Sequence, residues 1–196
     1  MNILFATTNT GKMREVSALL KLPGLKLFYL KDMDKAIEPP QETGLTFEAN
    51  ALIKARYYHE HYRMPVIADD AGLVVPALNN EPGVFSARYA GPGATDEQNN
   101  RKLLERLKKQ GLVKPPAYFQ AVVVYIDNSA PHIFEGRCHG VITGQPRGTN
   151  GFGYDPIFEF VEKACTFAEM DLNLKNSISH RSKAFASLAG YLKKSV

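Results

Sequence analysis

The run PVIADDAGLVV, residues 65 to 75, sets two acids, Asp69 and Asp70, inside an otherwise apolar strand-like stretch. Burying two unpaired carboxylates costs several kcal/mol, so a cation has to compensate them. A hard divalent ion is the economical choice, since Mg²⁺ is commonly held through one or two carboxylates together with substrate phosphate oxygens. Strand geometry sends adjacent side chains to opposite faces, which leaves one acid for an ion and the other for structure. A solvated turn of the DDAG type reads from the same letters.

Other groups along the chain could take part in such chemistry. TTNTGK, from Thr7 through Thr8, Asn9, Thr10 and Gly11 to Lys12, lies between a strand and a helix start and can offer backbone N–H groups and an ammonium to phosphate. It lacks the Walker A spacing, and such turns also serve as plain connectors. GTNGFGYDPIF, residues 148 to 158, carries three glycines in six positions beside Phe152, Tyr154 and Asp155. Bare backbone of that kind suits close approach to a ligand, or a surface turn. SISHRSKA places Ser179, His180 and Arg181 at a helix start, with Lys175 just before, where the helix dipole disfavours cations. A ligand acceptor group would resolve that conflict, and an exposed basic turn would tolerate it. Glu48, Asn50 and Lys54 read as a wet helix face, and His59 and His61, two apart, fall on different helix faces and are assigned to the surface.

The elements that must position these groups follow from periodicity and caps. Asn2 to Thr7 is a short strand, and Met13, Val16, Leu19 and Leu20 recur at helical spacing over 12–21. Thr46 is the N-cap of a helix predicted to turn Ala49, Leu52, Ile53 and Tyr57 inward. Thr95 and Gln98 form a capping box for a helix over 96–110. AYFQAVVVYID and HIFEGRCHGVI are the two arms of a hairpin turning at DNSAP. From about Ser177 an amphipathic helix points Ile178, Phe185, Leu188, Ala189 and Leu192 inward. Strands and helices do not alternate strictly, so the fold is α/β with a mixed sheet.

At 196 residues the chain fits one domain, and its 44% hydrophobic and 22% charged shares are those of a globular protein. No apolar run approaches the roughly 18 residues of a membrane span, and the opening residues lack a signal-peptide pattern, which points to the cytoplasm and away from membranes. Cys138 and Cys165 form no CxxC pair, so they read as free buried or half-buried thiols. The net charge of +4 suits an anionic ligand, while Lys and Arg are dispersed rather than clustered as a nucleic-acid surface would want. A nucleic-acid-binding module using Phe152 and Tyr154 as stacking platforms, and a nucleotide-binding regulator without turnover, are the rival classes.

In their order along the chain, ATTNTGK, ETGLTFEANA, ADDAGL, PGVFSARYAG, GTNGFGYDPIF and KNSISHRSKA closely resemble the Ham1-like non-canonical purine nucleoside triphosphate pyrophosphatases, from residue 2 to about 190. The resemblance implies Mg²⁺-dependent hydrolysis of dITP, ITP, XTP and dXTP to the monophosphate and pyrophosphate by a homodimer. It implies an elongated mixed β-sheet flanked by helices, in two lobes with a central nucleotide-binding cleft. It assigns Thr7 to Lys12 to the triphosphate, and Glu42 and Asp70 to the metal. Asp70 matches the proton acceptor, and Phe152, Gly153, Tyr154, Asp155, Lys175, His180 and Arg181 match the nucleoside positions. The family usually has Ser where this chain has Ala71, which removes a substrate-contacting hydroxyl and predicts reduced affinity. Ser182 replaces a Gly common in the family and is expected to be tolerated. Donors from Lys175, His180 or Arg181 would favour the 6-carbonyl of inosine and xanthine over the 6-amino group of adenine, a kind of discrimination that reaches ~10⁴-fold.

Overall fold

A computed structural model describes residues 1–194 of the chain. The chain divides into two compact units, the first formed by Met1–Asp70, Ala121–Gly136 and the chain from His180 onward, the second by Ala71–Gln120 and Arg137–Ser179. In hydrogen-bonded order the strands run β2 (Lys26–Tyr29), β1 (Asn2–Phe5), β3 (Val66–Val75), β5 (Pro116–Ile126), β6 (His132–Ile142), β7 (Phe158–Phe160) and β8 (Cys165–Thr166), with β4 (Glu81–Pro82) attached to β3.

The first unit opens with β1 (Asn2–Phe5) and α1 (Thr10–Leu19), followed by β2 (Lys26–Tyr29) and α2 (Phe47–Tyr62). β1 lies parallel to both β2 and β3 (Val66–Val75). Leu4, Ala6, Val66, Ala68, Val124 and Ile126 from the strands pack on Ala51, Ala55 and Tyr58 of α2. Thr46 Oγ1 caps α2 by accepting from Ala49 N at 3.1 Å, as its position predicts. The inward face of α2 differs from the predicted one: Phe47, Asn50, Ala51, Ala55 and Tyr58 are buried, whereas Ala49, Leu52, Ile53 and Tyr57 are half-buried. Two alanines let the helix lie close to the strands, and Asn50 is drawn inward by hydrogen bonds.

The second unit contains the end of β3, with β4 (Glu81–Pro82) antiparallel to it, and α3 (Asp96–Lys109). β5 (Pro116–Ile126) and β6 (His132–Ile142) begin in one unit and end in the other, joined through 127–131 as the predicted hairpin requires. β7 (Phe158–Phe160) pairs antiparallel with β6 and with β8 (Cys165–Thr166). Phe119, Phe158 and Phe167 form an aromatic cluster in this core, with ring centroids 4.7 to 5.7 Å apart. The Thr95–Gln98 capping box on α3 is present in both directions.

The single helix predicted from Ser177 is two. α4 (Leu172–Ile178) ends at Ser179, whose ψ of 160° is extended, and α5 (His180–Lys194) starts anew. Ile178 therefore belongs to α4, while Phe185, Leu188 and Leu192 are buried on α5 as expected and Ala189 is only half-buried. Gly136 of β6 seats the start of α5: a Cβ there would stand 2.1 Å from the His180 carbonyl and 2.6 Å from Ala184 N. Parallel pairs at β1 and antiparallel pairs at β4, β7 and β8 make the sheet mixed, as the element order indicates. Cys138 is buried and Cys165 half-buried, both as free thiols. Among the described residues no helix is long and apolar enough to cross a membrane.

Candidate functional site

In the first unit, β1 delivers the chain to a loop whose side chains organise the start of α1. Thr7 is buried, and its Oγ1 accepts from Asn9 N at 3.1 Å, while Asn9 Oδ1 accepts from Lys12 N at 3.0 Å and caps the helix. Helix α1 thus starts at Thr10, before the predicted Lys12, and places Thr10, Gly11 and Lys12 in its first turn. Thr8, Asn9 and Thr10 are exposed, so the turn that starts α1 is open to solvent.

The two acids of β3 take different partners, as strand alternation requires. Asp69 is 1% exposed at its side chain and pairs with Lys12 Nζ at 2.8 Å and Arg181 Nε at 3.2 Å. Arg181, itself fully buried, also donates to Glu15 Oε2 at 2.5 Å. Asp70 Oδ1 lies 3.2 Å from Lys54 Nζ, and its Oδ2 accepts from Asn50 Nδ2 at 3.3 Å. Lys54 Nζ is in turn 3.3 Å from Glu42 Oε1. The helix face carrying Asn50 and Lys54 is therefore not a wet one: Asn50 is 0% exposed, and these residues, one turn apart, both address Asp70. Asn50 Oδ1 also accepts from Gly44 N at 2.8 Å, and a Cβ on Gly44 would stand 2.6 Å from that oxygen. Glycine at this point lets the segment carrying Glu42 close on α2.

Charge sets the two carboxylates apart. Burial pushes the Asp69 carboxyl up, but Lys12 and Arg181 outweigh it and hold it down at about 2. Burial also pushes the Asp70 carboxyl up, and there Lys54 and Lys12 do not fully offset it, with Glu42 adding repulsion. Lys12 is pulled below its ordinary value by burial and, despite Asp69, by repulsion from Lys54 and Arg181. Three cations, Lys12, Lys54 and Arg181, thus share one paired network with four carboxylates, Asp69, Asp70, Glu42 and Glu15.

In the second unit, Asp155 is the hub. Its Oδ2 accepts from Phe152 N at 2.9 Å and from Lys175 Nζ at 2.5 Å. The same ammonium lies 4.9 Å from the Phe152 ring centroid and 5.5 Å from that of Phe167. The glycines of the loop have separate reasons. Gly151, at φ +77°, passes so close to Asp155 that a Cβ would sit 2.0 Å from Oδ2, and Gly148, at φ +80°, leaves only 2.3 Å to the backbone of Ala168. Tyr154 points inward, its hydroxyl donating to the Ser86 carbonyl at 2.9 Å. Phe152 and Gly153 stay half-exposed and border an open groove of about 820 Å³ that Leu104, Ile142 and Pro146 also line.

The predicted residues therefore fall into two sets. Thr7 to Lys12, Glu42, Asp70 and Arg181 stand in the first unit, with His180, 3% exposed, at the start of α5. Ala71, Phe152 to Asp155 and Lys175 stand in the second. Glu15 was not singled out from the sequence. It lies 166 residues from Arg181, and a helical glutamate carries no local mark of burial.

Comparison with known proteins places the chain in a family. The model of the Ham1 family matches residues 3–191. A dITP/XTP pyrophosphatase of Mannheimia succiniciproducens is 48% identical over 195 residues, covering 97% of each chain. That of Haemophilus influenzae is 45% identical over 193 residues, covering 97% of this chain and 98% of its own. The structure of a HAM1 protein from Coxiella burnetii superposes with a TM-score of 0.90 at 40% identity, covering 99% of both chains. The chain belongs to the Ham1 family.

Proposed function

We propose that this chain hydrolyses dITP, ITP and XTP-type purine nucleoside triphosphates to the monophosphate and pyrophosphate, a reading supported by relatives named dITP/XTP pyrophosphatase. The observation that carries the reading is the gathering of Lys12, Lys54 and Arg181 around Asp69 and Asp70 beside the open first turn of α1. A triphosphate carried with a divalent cation brings both charges such a cluster can meet, phosphate oxygens for the ammoniums and the cation for the carboxylates.

Glu42 and Asp70 fit a divalent cation. Both reach one ammonium, that of Lys54, at 3.3 and 3.2 Å, so their oxygens already converge on a single positive charge. Among the described residues no three His, Cys, Asp or Glu side chains gather as a closed cage. Two carboxylates and substrate phosphates are the habit of Mg²⁺. Bound there, the ion would neutralise charge on phosphate oxygens during attack at the α-phosphorus.

The protein's own groups do the rest. Asp70, whose carboxyl is raised by burial, accepts the proton of the attacking water. Asp69 keeps Lys12 in place, and Lys12 and Lys54 donate to the outer phosphates and stabilise the departing pyrophosphate. In the second unit Phe152 offers a ring face to the base, and the Lys175 ammonium, pinned by Asp155, supplies a donor suited to a 6-carbonyl. Cytoplasmic action by a homodimer, on free nucleotides rather than on nucleic acid, completes the reading that the family resemblance supports.

Pyrophosphate release from ITP, dITP and XTP, set against ATP and measured with Mg²⁺ and with EDTA, tests it. The expected result is metal-dependent release with kcat/KM for ITP at least ~10²-fold above that for ATP. Comparable values for ATP and ITP would overturn the proposed selectivity, and absence of pyrophosphate would overturn the reaction.

A further inference from the structure

Helix α3 supplies none of the site residues predicted from the sequence, yet its first two turns hold the loop that carries Phe152. Gly153 N donates to Asp96 Oδ2 at 2.6 Å, and Gly153 O accepts from Asn100 Nδ2 at 3.0 Å. Asp96 and Asn100 are four apart and share one helix face, so a single residue is gripped at both its amide groups by one rigid element. We propose that Asp96 and Asn100 are positioning residues for nucleoside recognition, fixing the backbone from which Phe152 meets the base. The proposal rests on the reading of Phe152 as the base platform.

Gly153 needs the clamp. Its φ is +62°, and a Cβ there would meet nothing within 4 Å, so the glycine serves conformation rather than close approach. Such a residue is flexible when left alone. On the other side Asp155 Oδ2 accepts from Phe152 N at 2.9 Å. The peptide planes before Phe152, after it and after Gly153 each therefore have a fixed partner, and the ring between them has a fixed base.

The chemistry of Asn100 points the same way. It is 6% exposed, and its Oδ1 is buried with no hydrogen-bond partner. A buried orphan acceptor is a cost that an apolar residue would avoid, so the amide is retained for what its nitrogen does. The neighbouring Asn99 uses both ends, accepting from Ala90 N at 2.7 Å and donating to the Ala87 carbonyl at 3.3 Å. Leu103 and Leu107 anchor α3 in the core of the second unit, which gives the clamp a rigid support. Asp96 stands at the first helical position, where the dipole favours negative charge.

The test uses the full-length enzyme with Asp96→Ala, Asn100→Ala and the conservative Asp96→Asn, whose amide oxygen can still accept from Gly153 N. Steady-state kinetics with ITP and ATP are read alongside thermal melting. The two alanine variants are expected to raise KM for ITP about tenfold, to leave kcat within about threefold and to lower the preference for ITP over ATP. Asp96→Asn is expected to stay within about threefold of the wild type. Should Asp96→Ala not fold, Asn100→Ala decides, because removing the orphan acceptor offsets part of the stability lost with the bond to Gly153 O. Wild-type KM and base preference in folded Asn100→Ala would overturn the clamp, even with a lowered melting temperature. Wild-type enzyme inert towards ITP would instead overturn the reading on which the clamp rests.

Discussion

Lys12 Nζ stands 2.8 Å from Asp69 Oδ1 and 3.5 Å from the Asp69 carbonyl, so one strand residue holds the lysine of the first turn of α1 through both its side chain and its backbone. The other carboxylate oxygen of Asp69 is taken by Arg181, which is secured in turn by Glu15. A carboxylate so engaged is poorly placed to activate water. Asp70, which meets Lys54 and Asn50, is the acid to which the proposed mechanism gives the proton transfer. On that proposal neighbouring acids on one strand divide structure from chemistry.

The division predicts that Asp69→Asn is costly to stability. It leaves Arg181 and Lys12 without their shared carboxylate in a buried setting, a loss of about 3–5 kcal/mol. The sign with pH follows from the carboxyl being held at about 2 against an ordinary 3.8. A depressed folded-state value stabilises above the unfolded value and loses that contribution as pH falls from about 4 to 2. Denaturant unfolding at neutral pH should show the loss, and acid unfolding of the variant should have a shallower slope across that window than the wild type.

Asp70→Asn should cost less stability. Burial raises this carboxyl and works against its pair with Lys54, and the ammonium of Lys54 keeps Glu42 when Asp70 is made uncharged, so the variant should melt much closer to the wild type than Asp69→Asn does. Turnover of ITP should fall about 10²–10⁴-fold at saturating Mg²⁺. Thermal melting and kcat measured on one preparation check both halves. Near wild-type turnover would remove Asp70 from the chemistry, and a melting loss equal to that of Asp69→Asn would remove the division.

These partnerships also mark how far the sequence could be read. Caps at Thr46 and at Thr95 with Gln98 are local, three residues from the groups they satisfy, and were legible as spacing. The burden of Asp69 and Asp70 in an apolar run was equally legible as a problem that needed cations. Their partners were not, because Arg181 lies 112 residues from Asp69 and only packing brings them together. The face of α2 was misjudged since periodicity weighs large apolar residues, whereas this helix buries Ala51, Ala55 and a polar Asn50. The break at Ser179 escaped notice because no proline or glycine marks it.

Lys175 should act on the base. Its ammonium is held by Asp155 at 2.5 Å and lies over the Phe152 ring. Lys175→Met keeps much of the stem and removes the donor, so kcat/KM for ITP should drop about 10–100-fold while that for ATP changes little. Parallel kinetics with the two nucleotides check this. An equal loss for both would mean that the lysine only braces the loop.

Ala71 follows the two acids on β3 and is half-buried. The family's usual serine would add one hydroxyl, and strand alternation puts that side chain on the face of Asp69 rather than of Asp70. A single added hydrogen bond to a substrate oxygen contributes about 0.5–1.5 kcal/mol, which corresponds to roughly 2–10-fold in affinity. Ala71→Ser should therefore lower KM for ITP by that factor with kcat nearly constant, because the contact is present before and during reaction alike. A change in kcat instead would place the hydroxyl at the reacting phosphorus, and no change in either would show that the backbone alone serves at this position.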